Sequence, residues 1–530
     1  MKTTLIGRSI IAGVPSDHQG IVQFRSIKPS TGETWGPVYF TATTQDINDA
    51  CGAAQKAFLT YRRMPQMVRA TLLKIIAEAI TAKRDDIIEA CLNETGYGAP
   101  RVEGEFNRLV GQLRFFAQVI EDGLCFGSTI DHPDPNPGPG AVDIRSHYIG
   151  KGPVVVFAAS NFPLAFSVCG GDTVAALAAG CPVIVKAHRS HPVTSELVAG
   201  CIVEALAAVG LPPGLFSLIQ GQDHTLNIGL VQHPLVKAVG FTGSRKGGTA
   251  LIAAAQSRRE PIPVYAEMSA VGPNFLAESA LNAATAKLLF DSNVLGAGQF
   301  CTNPGILFVP HGPAAQSFVV ELTKLYSPTK PLVMLSADIA GAYARGVEEL
   351  VKAGASILAS GEGDAGNNCA VPTLLHTTST SFSHRAALHQ EVFGPAMLVV
   401  VCDSTAEMNS LAHGLEGQLV AVLWGNNDEL NSPDFVELRD TLELKAGRIV
   451  ENAVPTGVRV CYSQVHGGPF PASTADTSVG AASINRFQRL IALQGVGSER
   501  LPLNLRDDDR PYPTRVDGRL VLRTIPPAKS

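Results

Sequence analysis

The chain has 530 residues, of which 45% are hydrophobic and 17% are charged, and its net charge is −5. This length exceeds what one hydrophobic core usually organises, so we expect two or more domains in a compact protein rather than a disordered one. The charge balance provides no basic stripe for nucleic acid and no polybasic segment for a membrane surface, and no apolar run reaches the roughly 18 residues that span a bilayer.

The ten cysteines are spread along the chain and form neither a CxxC pair nor a Cys/His cluster at zinc-ligand spacing. That distribution is typical of reduced thiols and not of a disulfide scaffold or a zinc site. Arg8 interrupts the apolar residues of the N-terminus and no clean cleavage site follows, so we predict no secretory signal. We therefore expect a cytoplasmic protein without a metal.

Apolar residues recur at helical spacing over residues 47–82 and again over residues 102–119. The second helix carries Arg108, and charges on such a helix most often form a solvated face. The segment DHPDPNPGPG at 131–140 is too rich in proline and glycine for a helix or a central strand. We predict that it is a loop joining two bodies.

Short apolar strands alternate with helices over residues 151–268; the strands are GPVVVFAAS, CPVIVKA, GLFSLIQG, VKAVGFTG and PIPVYAEM. Strands that are apolar on both faces predict a parallel sheet covered by helices on both sides. Ligands bind such sheets beyond the carboxyl ends of the strands. Polar residues follow three of these strands, namely Asn161, then Lys186, His188 and Arg189, then Gly243 and Ser244.

Ser244 is in a position to cap a helix that begins with Arg245 and Lys246. The first N–H groups and the positive dipole end of such a helix bind phosphate well. An ordinary turn at GSRKGG explains the same residues equally well. Neither the dinucleotide-binding nor the P-loop glycine fingerprint is present, so only position and charge indicate a nucleotide site.

Residues 305–450 contain a second alternation, in which GILFVP, ASILAS, AMLVVVCD, QLVAVLWG and AGRIVENA are strand-like. Within it, HQEVFGP places Glu391 before a Gly-Pro turn, where an isolated glutamate is most often solvated. Turns dominate the C-terminal part of the chain. Its charge run, NLRDDDRPYP, indicates a surface tail or an arm packed on another subunit.

A helical run over residues 280–295 ends in small residues, and GQFCTNPG follows with Cys301 at its centre. Glycines that let the backbone approach a ligand, beside the end of a regular element, are typical of a presented nucleophile. A free cysteine is also commonly an inert small hydrophobe. Cys301 taken alone leaves both interpretations open.

Together these segments resemble the aldehyde dehydrogenase superfamily over about residues 30–494. The motifs that carry the resemblance are SNFPL at 160–164, FTGS at 241–244, Glu267 followed by Gly272 and Pro273, GQFC at 298–301 and QEVFGP at 390–395. The resemblance implies an enzyme that oxidises an aldehyde to a carboxylate through a cysteine thiohemiacetal and thioester.

By this resemblance Cys301 is the nucleophile, and the Asn161 amide forms the oxyanion hole with the Cys301 N–H group. Glu267 is the general base for the thiol or for the deacylating water. A buried carboxylate beside a thiol is disfavoured in its charged form, so we expect a raised pKa for Glu267.

The resemblance also implies a nicotinamide cofactor, with Glu391 on the nicotinamide ribose and Lys186 on the ribose nearer adenine. The remaining residues expected to bind the cofactor are His188, Arg189, Gly243, Ser244 and Phe393. The family's common KPxE is KAHR here, so Arg189 stands where NAD-selective members have an acid for the 2′-hydroxyl. Arginine suits a 2′-phosphate, so we predict a preference for NADP, with NAD as the other acceptor.

These variants, with VPTGVRVCYSQVHGGPFPAST at 454–474, resemble the branch of α-ketoglutarate semialdehyde (2,5-dioxovalerate) dehydrogenases. A dicarboxylate semialdehyde needs a cation for its distal carboxylate, and by family analogy Arg108 is our candidate. A fatty or other aliphatic aldehyde is the alternative substrate. A member that passes the thioester to coenzyme A is another alternative, and Glu267 argues against it because that transfer needs no base for water.

The implied fold class is α/β and aldehyde dehydrogenase-like, in three parts. A parallel-sheet cofactor domain takes residues 1–128 and 150–268, an α/β catalytic domain takes 269–447, and a small β oligomerisation part takes 129–149 and 448–530. An exposed hairpin predicts a homodimer or homotetramer formed by sheet extension. The other expected partner is a small-molecule aldehyde, and neither nucleic acid nor membrane is expected.

Overall fold

A computed structural model of the protein describes residues 5–18, 20–136, 138, 141–366, 368–508 and 511–522. Its helices are α1 Thr44–Tyr61, α2 Gln66–Ala82, α3 Arg84–Thr95, α4 Ala99–Asp122, α5 Gly171–Ala179, α6 Pro192–Val209, α7 His224–Gln232, α8 Arg245–Gln256, α9 Ala283–Val294, α10 Pro313–Tyr326, α11 Ala337–Lys352, α12 Ser379–His384, α13 Thr405–Gly414, α14 Asn427–Leu430 and α15 Pro433–Glu443.

The strands are β1 Ile10–Ile11, β2 Val14–Pro15, β3 Gln23–Ile27, β4 Thr34–Phe40, β5 Thr129–Asp131, β6 Ile144–Gly150, β7 Val154–Phe157, β8 Val183–Lys186, β9 Phe216–Ile219, β10 Ala238–Thr242, β11 Val264–Glu267, β12 Pro273–Leu276, β13 Ile306–Pro310, β14 Leu332–Val333, β15 Ser356–Ser360, β16 Cys369–Ala370, β17 Thr373–Thr378, β18 Ala396–Cys402, β19 Ala421–Trp424, β20 Ile449–Glu451, β21 Gln488–Gln494, β22 Thr514–Val516 and β23 Arg519–Val521.

The first large sheet has the strand order β11-β10-β7-β8-β9-β1-β2. Its strands β7 to β11 are parallel, which confirms the prediction from their apolar sequences. The chain moves from β7 to β8 and β9 on one side and then returns to β10 and β11 on the other side. The strand order therefore reverses between β7 and β10, and ligands bind in the crevice at such a reversal.

The second large sheet has the order β15-β17-β18-β13-β12-β19-β20 and contains the five strands predicted within 305–450. Two further strands, β12 and β17, were not predicted. The helix predicted over 47–82 is in fact α1 and α2, because Pro65 precedes α2 and has no N–H group to continue α1.

A third sheet, of order β21-β6-β5-β22-β23, is built on the hairpin of β5 and β6. The segment between them includes the predicted 131–140 loop, of which residues 137, 139 and 140 lie outside the described residues. The predicted C-terminal tail or arm, NLRDDDRPYP at 504–513, begins with two residues that pack inside the protein, whereas Asp507 and Asp508 are exposed. Here Asn504 and Leu505 are fully buried in their own chain, and the Arg145 guanidinium donates to the Leu505 carbonyl at 2.6 Å and to Asp507 at 2.9 Å.

Among the described helices, α6 is long and apolar enough to span a membrane by length and composition alone. Its sequence did not suggest this. The helix packs on α2 and α3, and 67% of its apolar window is buried inside the protein, so it is a core helix.

Candidate active site

The loop that carries Cys301 leaves α9 through three successive residues with positive φ. Gly296, Ala297 and Gly298 have φ values of 54°, 58° and 67°, and such values are unusual for the alanine. A side chain at Gly298 would lie 2.3 Å from the backbone of Gly394, so only glycine permits this close approach. The loop is therefore seated on the 390–395 segment, with the half-buried Cys301 thiol at its end.

The Cys301 thiol, the His466 imidazole and the Glu267 carboxylate form one buried cluster. His466 Nε2 lies 3.5 Å from Cys301 Sγ and 3.0 Å from Glu267 Oε1. Ser478 Oγ donates to the other carboxylate oxygen, Oε2, at 2.5 Å. Because a carboxylate only accepts hydrogen bonds, the ring nitrogen facing Glu267 is assigned the proton, and the sulfur lies near this same nitrogen.

A C-terminal segment brings His466 and Ser478 to the end of β11. The Met268 N–H group donates to the Ala472 carbonyl at 2.8 Å, and Glu267 and Ser473 form an antiparallel bridge. The His466 N–H group donates to Thr477 Oγ1 at 2.7 Å, which fixes the imidazole-bearing turn. The segment thus covers the base and the thiol together.

Burial alone would raise the pKa of Glu267. The facing His466 and the hydrogen bonds from His466, Ser478 and Cys301 outweigh burial and lower it. Our expectation of a raised pKa is therefore wrong, because it took no account of the imidazole. Burial and then the Glu267 charge raise the pKa of Cys301 well above its usual value, so the resting thiol is protonated.

Asn161 lies beside the Cys301 loop and is held at both ends. Its Nδ2 donates to the Gln299 carbonyl at 3.0 Å. Its backbone carbonyl accepts a hydrogen bond from Arg101 Nη2 at 2.9 Å. The Arg101 guanidinium is packed over the rings of Tyr97 and Phe300. One of the two amide hydrogens of Asn161 is therefore used to bind the Cys301 loop, and the second is not used in that bond.

Arg108 on α4 is largely buried, so the solvated-face interpretation is wrong. Its Nη1 donates to the Val458 carbonyl at 2.7 Å, whereas Nε and Nη2 are buried without a partner among the described residues. Burial lowers its pKa, and the nearby Glu105, then Cys301 and Glu267 when ionised, act on it in the opposite direction. A guanidinium with unused donors therefore lies near the thiol.

The positive residues after β8 bond within the protein. Lys186 Nζ donates to the Ala187 and Gly221 carbonyls at 2.8 and 2.5 Å, and burial lowers its pKa to about 8. Arg189 forms an exposed ion pair of 2.6 Å with Asp338 on α11. His188 stacks on His191 with ring centroids 5.4 Å apart.

At the end of β10, Ser244 is the N-cap of α8 and accepts from the Gly247 N–H group, which confirms the predicted helix start. A Cβ at Gly243 would lie 2.7 Å from the Phe241 ring, so a larger residue here would displace that ring.

Glu391 and Phe393 line a cavity together with Gly298 and Phe300 of the Cys301 loop. Burial raises the pKa of Glu391 to about 7, against hydrogen bonds from Ser269 and the Ala270 N–H group. Glu391 is thus not the solvated turn glutamate that its sequence context alone would indicate.

Sequence reasoning missed His466 and Ser478. His466 is 165 residues from Cys301 and 199 from Glu267, so no local spacing reveals the cluster. The only signal was the segment 454–474, which marked a branch of the family without indicating a role for its histidine.

The aldehyde dehydrogenase family model matches residues 16–489. The alpha-ketoglutaric semialdehyde dehydrogenase 2 of Azospirillum brasilense is 44% identical over 514 residues, covering 95% of this chain and 96% of that protein. The alpha-ketoglutaric semialdehyde dehydrogenase of Acinetobacter baylyi is 40% identical over 524 residues, 97% of each. The aldehyde dehydrogenase KauB from Pseudomonas aeruginosa has the same fold, with a TM-score of 0.79 at 20% identity over 93% of this chain and 97% of that one. The chain therefore belongs to the aldehyde dehydrogenase family, oxidoreductases that act on aldehydes with NAD(P).

Proposed function

We propose that this enzyme oxidises α-ketoglutarate semialdehyde to α-ketoglutarate, with NADP as the preferred hydride acceptor. The observation that carries the substrate is Arg108, a buried guanidinium with two unpartnered nitrogens near the thiol. Buried guanidinium donors are costly unless a partner satisfies them, and a substrate carboxylate is the partner they match best. The names of the two relatives at 44% and 40% identity agree with this substrate.

In the first step Cys301 attacks the aldehyde carbon and forms a thiohemiacetal. Glu267, which accepts a hydrogen bond from the thiol, takes its proton. The His466 Nε2–H group faces both the carboxylate and the sulfur, and it stabilises the thiolate as the proton leaves. The second amide hydrogen of Asn161 and the Cys301 N–H group stabilise the oxyanion.

A bound nicotinamide ring supplies the acceptor for the hydride that leaves the thiohemiacetal, and a thioester remains on Cys301. Glu267 then takes a proton from the water that attacks this thioester. Collapse releases the carboxylate and restores the thiol. The cycle consumes one water and releases two protons for each aldehyde oxidised.

The residues at the sheet edge fit a dinucleotide phosphate. The α8 N-terminus, capped by Ser244 and followed by Arg245 and Lys246, offers backbone donors and positive charge beside the crevice. Lys186 would hold the ribose nearer adenine, Arg189 its 2′-phosphate, and Glu391 the nicotinamide ribose. Gly243, His188 and Phe393 complete the proposed cofactor site.

Steady-state kinetics with the semialdehyde and with a series of aliphatic aldehydes, each with NADP and with NAD, test this proposal. Arg108→Gln should raise KM for the semialdehyde roughly 10- to 100-fold, the cost of one charged hydrogen-bond pair, and leave aliphatic aldehydes little affected. Arg114→Gln, an exposed position on the same helix, is the matched control. An equal loss on both substrate classes would contradict the carboxylate role, and a higher kcat/KM for long aliphatic aldehydes would replace the substrate.

We also propose a homo-oligomer in the cytoplasm. The exposed edge strand β21 supports sheet extension, and the ten free cysteines suit a reducing compartment. We keep the proposed division into a cofactor domain, a catalytic domain and an oligomerisation part, since each contains most of one of the three larger sheets; β20 of the second sheet lies just beyond the boundary at 447.

A further inference from the structure

The cluster at the catalytic centre also has the composition of a metal site. Ligand atoms of Cys301, His466 and Glu267 all lie within 4.8 Å of one another. The sequence shows no zinc-ligand spacing for this cluster, because the three residues come from distant segments. Among the described residues, one group of cysteine, histidine and acidic side chains converges in this way, and it is this cluster.

The distances from His466 Nε2 to the sulfur and to the carboxylate oxygen are close to those of tetrahedral zinc ligands. Zinc binds sulfur at about 2.3 Å and imidazole nitrogen or carboxylate oxygen at about 2.0–2.2 Å, which separates neighbouring ligand atoms by about 3.3–3.6 Å. Here Sγ and Nε2 are 3.5 Å apart, and Nε2 and Oε1 are 3.0 Å apart. The sulfur and the carboxylate oxygen lie within 4.8 Å of each other, so they must approach by up to about 1.2 Å to admit the ion.

The surroundings hold the ligands in place and balance the charge. Ser478 Oγ binds the second oxygen of Glu267, and Thr477 holds the His466 backbone, as partners of metal ligands commonly do. The thiolate and the carboxylate carry two negative charges, and the neighbouring Arg108 and Glu391 offset each other. Thiolate with imidazole selects zinc over magnesium or calcium.

We propose that Cys301, His466 and Glu267 bind Zn²⁺ as an inhibitory site, with the fourth position open to water. The Cys301 S–H bond breaks and its proton passes to solvent, and the Nε2 proton of His466 moves through solvent to Nδ1. Sulfur–zinc and nitrogen–zinc bonds form with no change of oxidation state. The sulfur lone pair that would attack the aldehyde is then held by the metal. Binding depends on this geometry alone, whereas inhibition rests also on the proposed role of Cys301 as the nucleophile, so the two are measured separately.

Binding is tested on the full-length protein, freed of metal with a chelator and titrated with Co²⁺. We expect one Co²⁺ per chain with a thiolate-to-cobalt charge-transfer absorption band that Zn²⁺ displaces. Cys301→Ser should abolish the band, and His466→Asn and Glu267→Gln should each weaken affinity at least about tenfold. Cys461→Ser and His376→Asn are the controls and should bind like the parent protein. A band that survives Cys301→Ser, or unchanged affinity in both His466→Asn and Glu267→Gln, would overturn the site.

Inhibition is tested with Zn²⁺ in the aldehyde assay. We expect a loss of rate that a chelator reverses and that higher aldehyde concentration relieves. Binding without inhibition would keep the metal site and refute Cys301 as the nucleophile. If Zn²⁺ inhibits the enzyme although no Co²⁺ binding is detected, the zinc acts elsewhere and the proposal is overturned.

Discussion

At the scale of single residues, His466 changes the chemistry expected of the thiol. Its Nε2–H group lies between a carboxylate and a sulfur that are both buried, at 3.0 and 3.5 Å. Without it, transfer of the Cys301 proton to Glu267 would leave an uncompensated negative charge on a poorly solvated sulfur. The imidazole is therefore the group that stabilises the thiolate.

We predict that His466→Asn slows alkylation of Cys301 by iodoacetamide at neutral pH and lowers kcat roughly 10²-fold, the lower range for the loss of an acid–base group. The measurement is the rate of alkylation in the absence of aldehyde, followed by the turnover rate. His224→Asn, at an exposed position at the start of α7, is the control. An unchanged alkylation rate would remove His466 from thiol activation.

The Arg189–Asp338 pair bears on cofactor choice. Asp338 engages the guanidinium at 2.6 Å, where a 2′-phosphate would bind, and places a negative charge beside it. Asp338→Asn should lower KM for NADP about 2- to 5-fold, the modest value of an exposed ion pair, and leave KM for NAD unchanged. Arg189→Gln should do the opposite for NADP. If Arg189→Gln leaves the NADP to NAD ratio intact, this arginine does not read the phosphate.

Resemblance to the family predicted Cys301, Glu267 and Asn161 as one site, and each lies at or after the end of a regular element, where chains present functional groups. The direction of the Glu267 pKa was not predictable. It depends on a histidine that the fold brings from 199 residues away, and no local pattern records such a contact.

At the scale of elements, the C-terminal hairpin of β22 and β23 is fastened to β5 by charged groups. The His132 ring contacts Asp507 and Asp517 at 3.0 and 2.8 Å, and Arg145 also holds Asp507. The hydrogen bond with Asp517, then that with Asp507, raises the pKa of His132. Hydrogen bonds with Arg145 and with His132 lower the pKa of Asp507 and of Asp517, respectively.

These shifts predict a pH window for the hairpin. A raised histidine pKa stabilises below about pH 6.5 and its effect is lost as the pH rises through the folded value, whereas the lowered aspartate pKa values stabilise above about pH 4. The hairpin should be held most firmly between these limits. Hydrogen exchange of residues 514–521, corrected for intrinsic rates, should show more protection at pH 5.5 than at pH 8.5. His132→Asn should remove the difference, and a difference that remains would assign it to another group.

Most elements followed from periodicity, since the buried strands of both large sheets are continuous apolar runs. Strand β17, with the sequence TLLHTT, was missed because its polar residues interrupt the run, although Thr373 and Thr377 are buried in the sheet. The contacts of neighbouring strands decide such a segment, and they are not visible in its own sequence.

At the scale of the whole molecule, the third sheet has two unequal edges. Edge strand β21 has seven residues, and β23 at the other edge has three. The longer edge offers more unpaired backbone groups to a second copy. The hairpin of β22 and β23 pairs with β5, so this chain itself occupies the second side of the β5–β6 hairpin.

We therefore predict assembly through β21. Leu490 on β21 and Leu520 on β23 are almost equally exposed, at 56% and 57%. Leu490→Asp should shift the protein to a smaller species in size-exclusion chromatography with light scattering, because it buries a charge at the interface. Leu520→Asp is the matched control and should leave the assembly intact. The reverse outcome would move the interface to β23.

The position of the 454–479 segment also affects how the enzyme is made. This stretch supplies the imidazole, the serine on the catalytic carboxylate and the carbonyl that holds Arg108, and the ribosome makes it after the two large sheets. A nascent chain that ends just after residue 450 already contains the strands of both large sheets, together with the thiol and its base. The catalytic centre is thus completed only after both large sheets have been synthesised. A chain that stops before residue 454 would contain both large sheets but would be inactive.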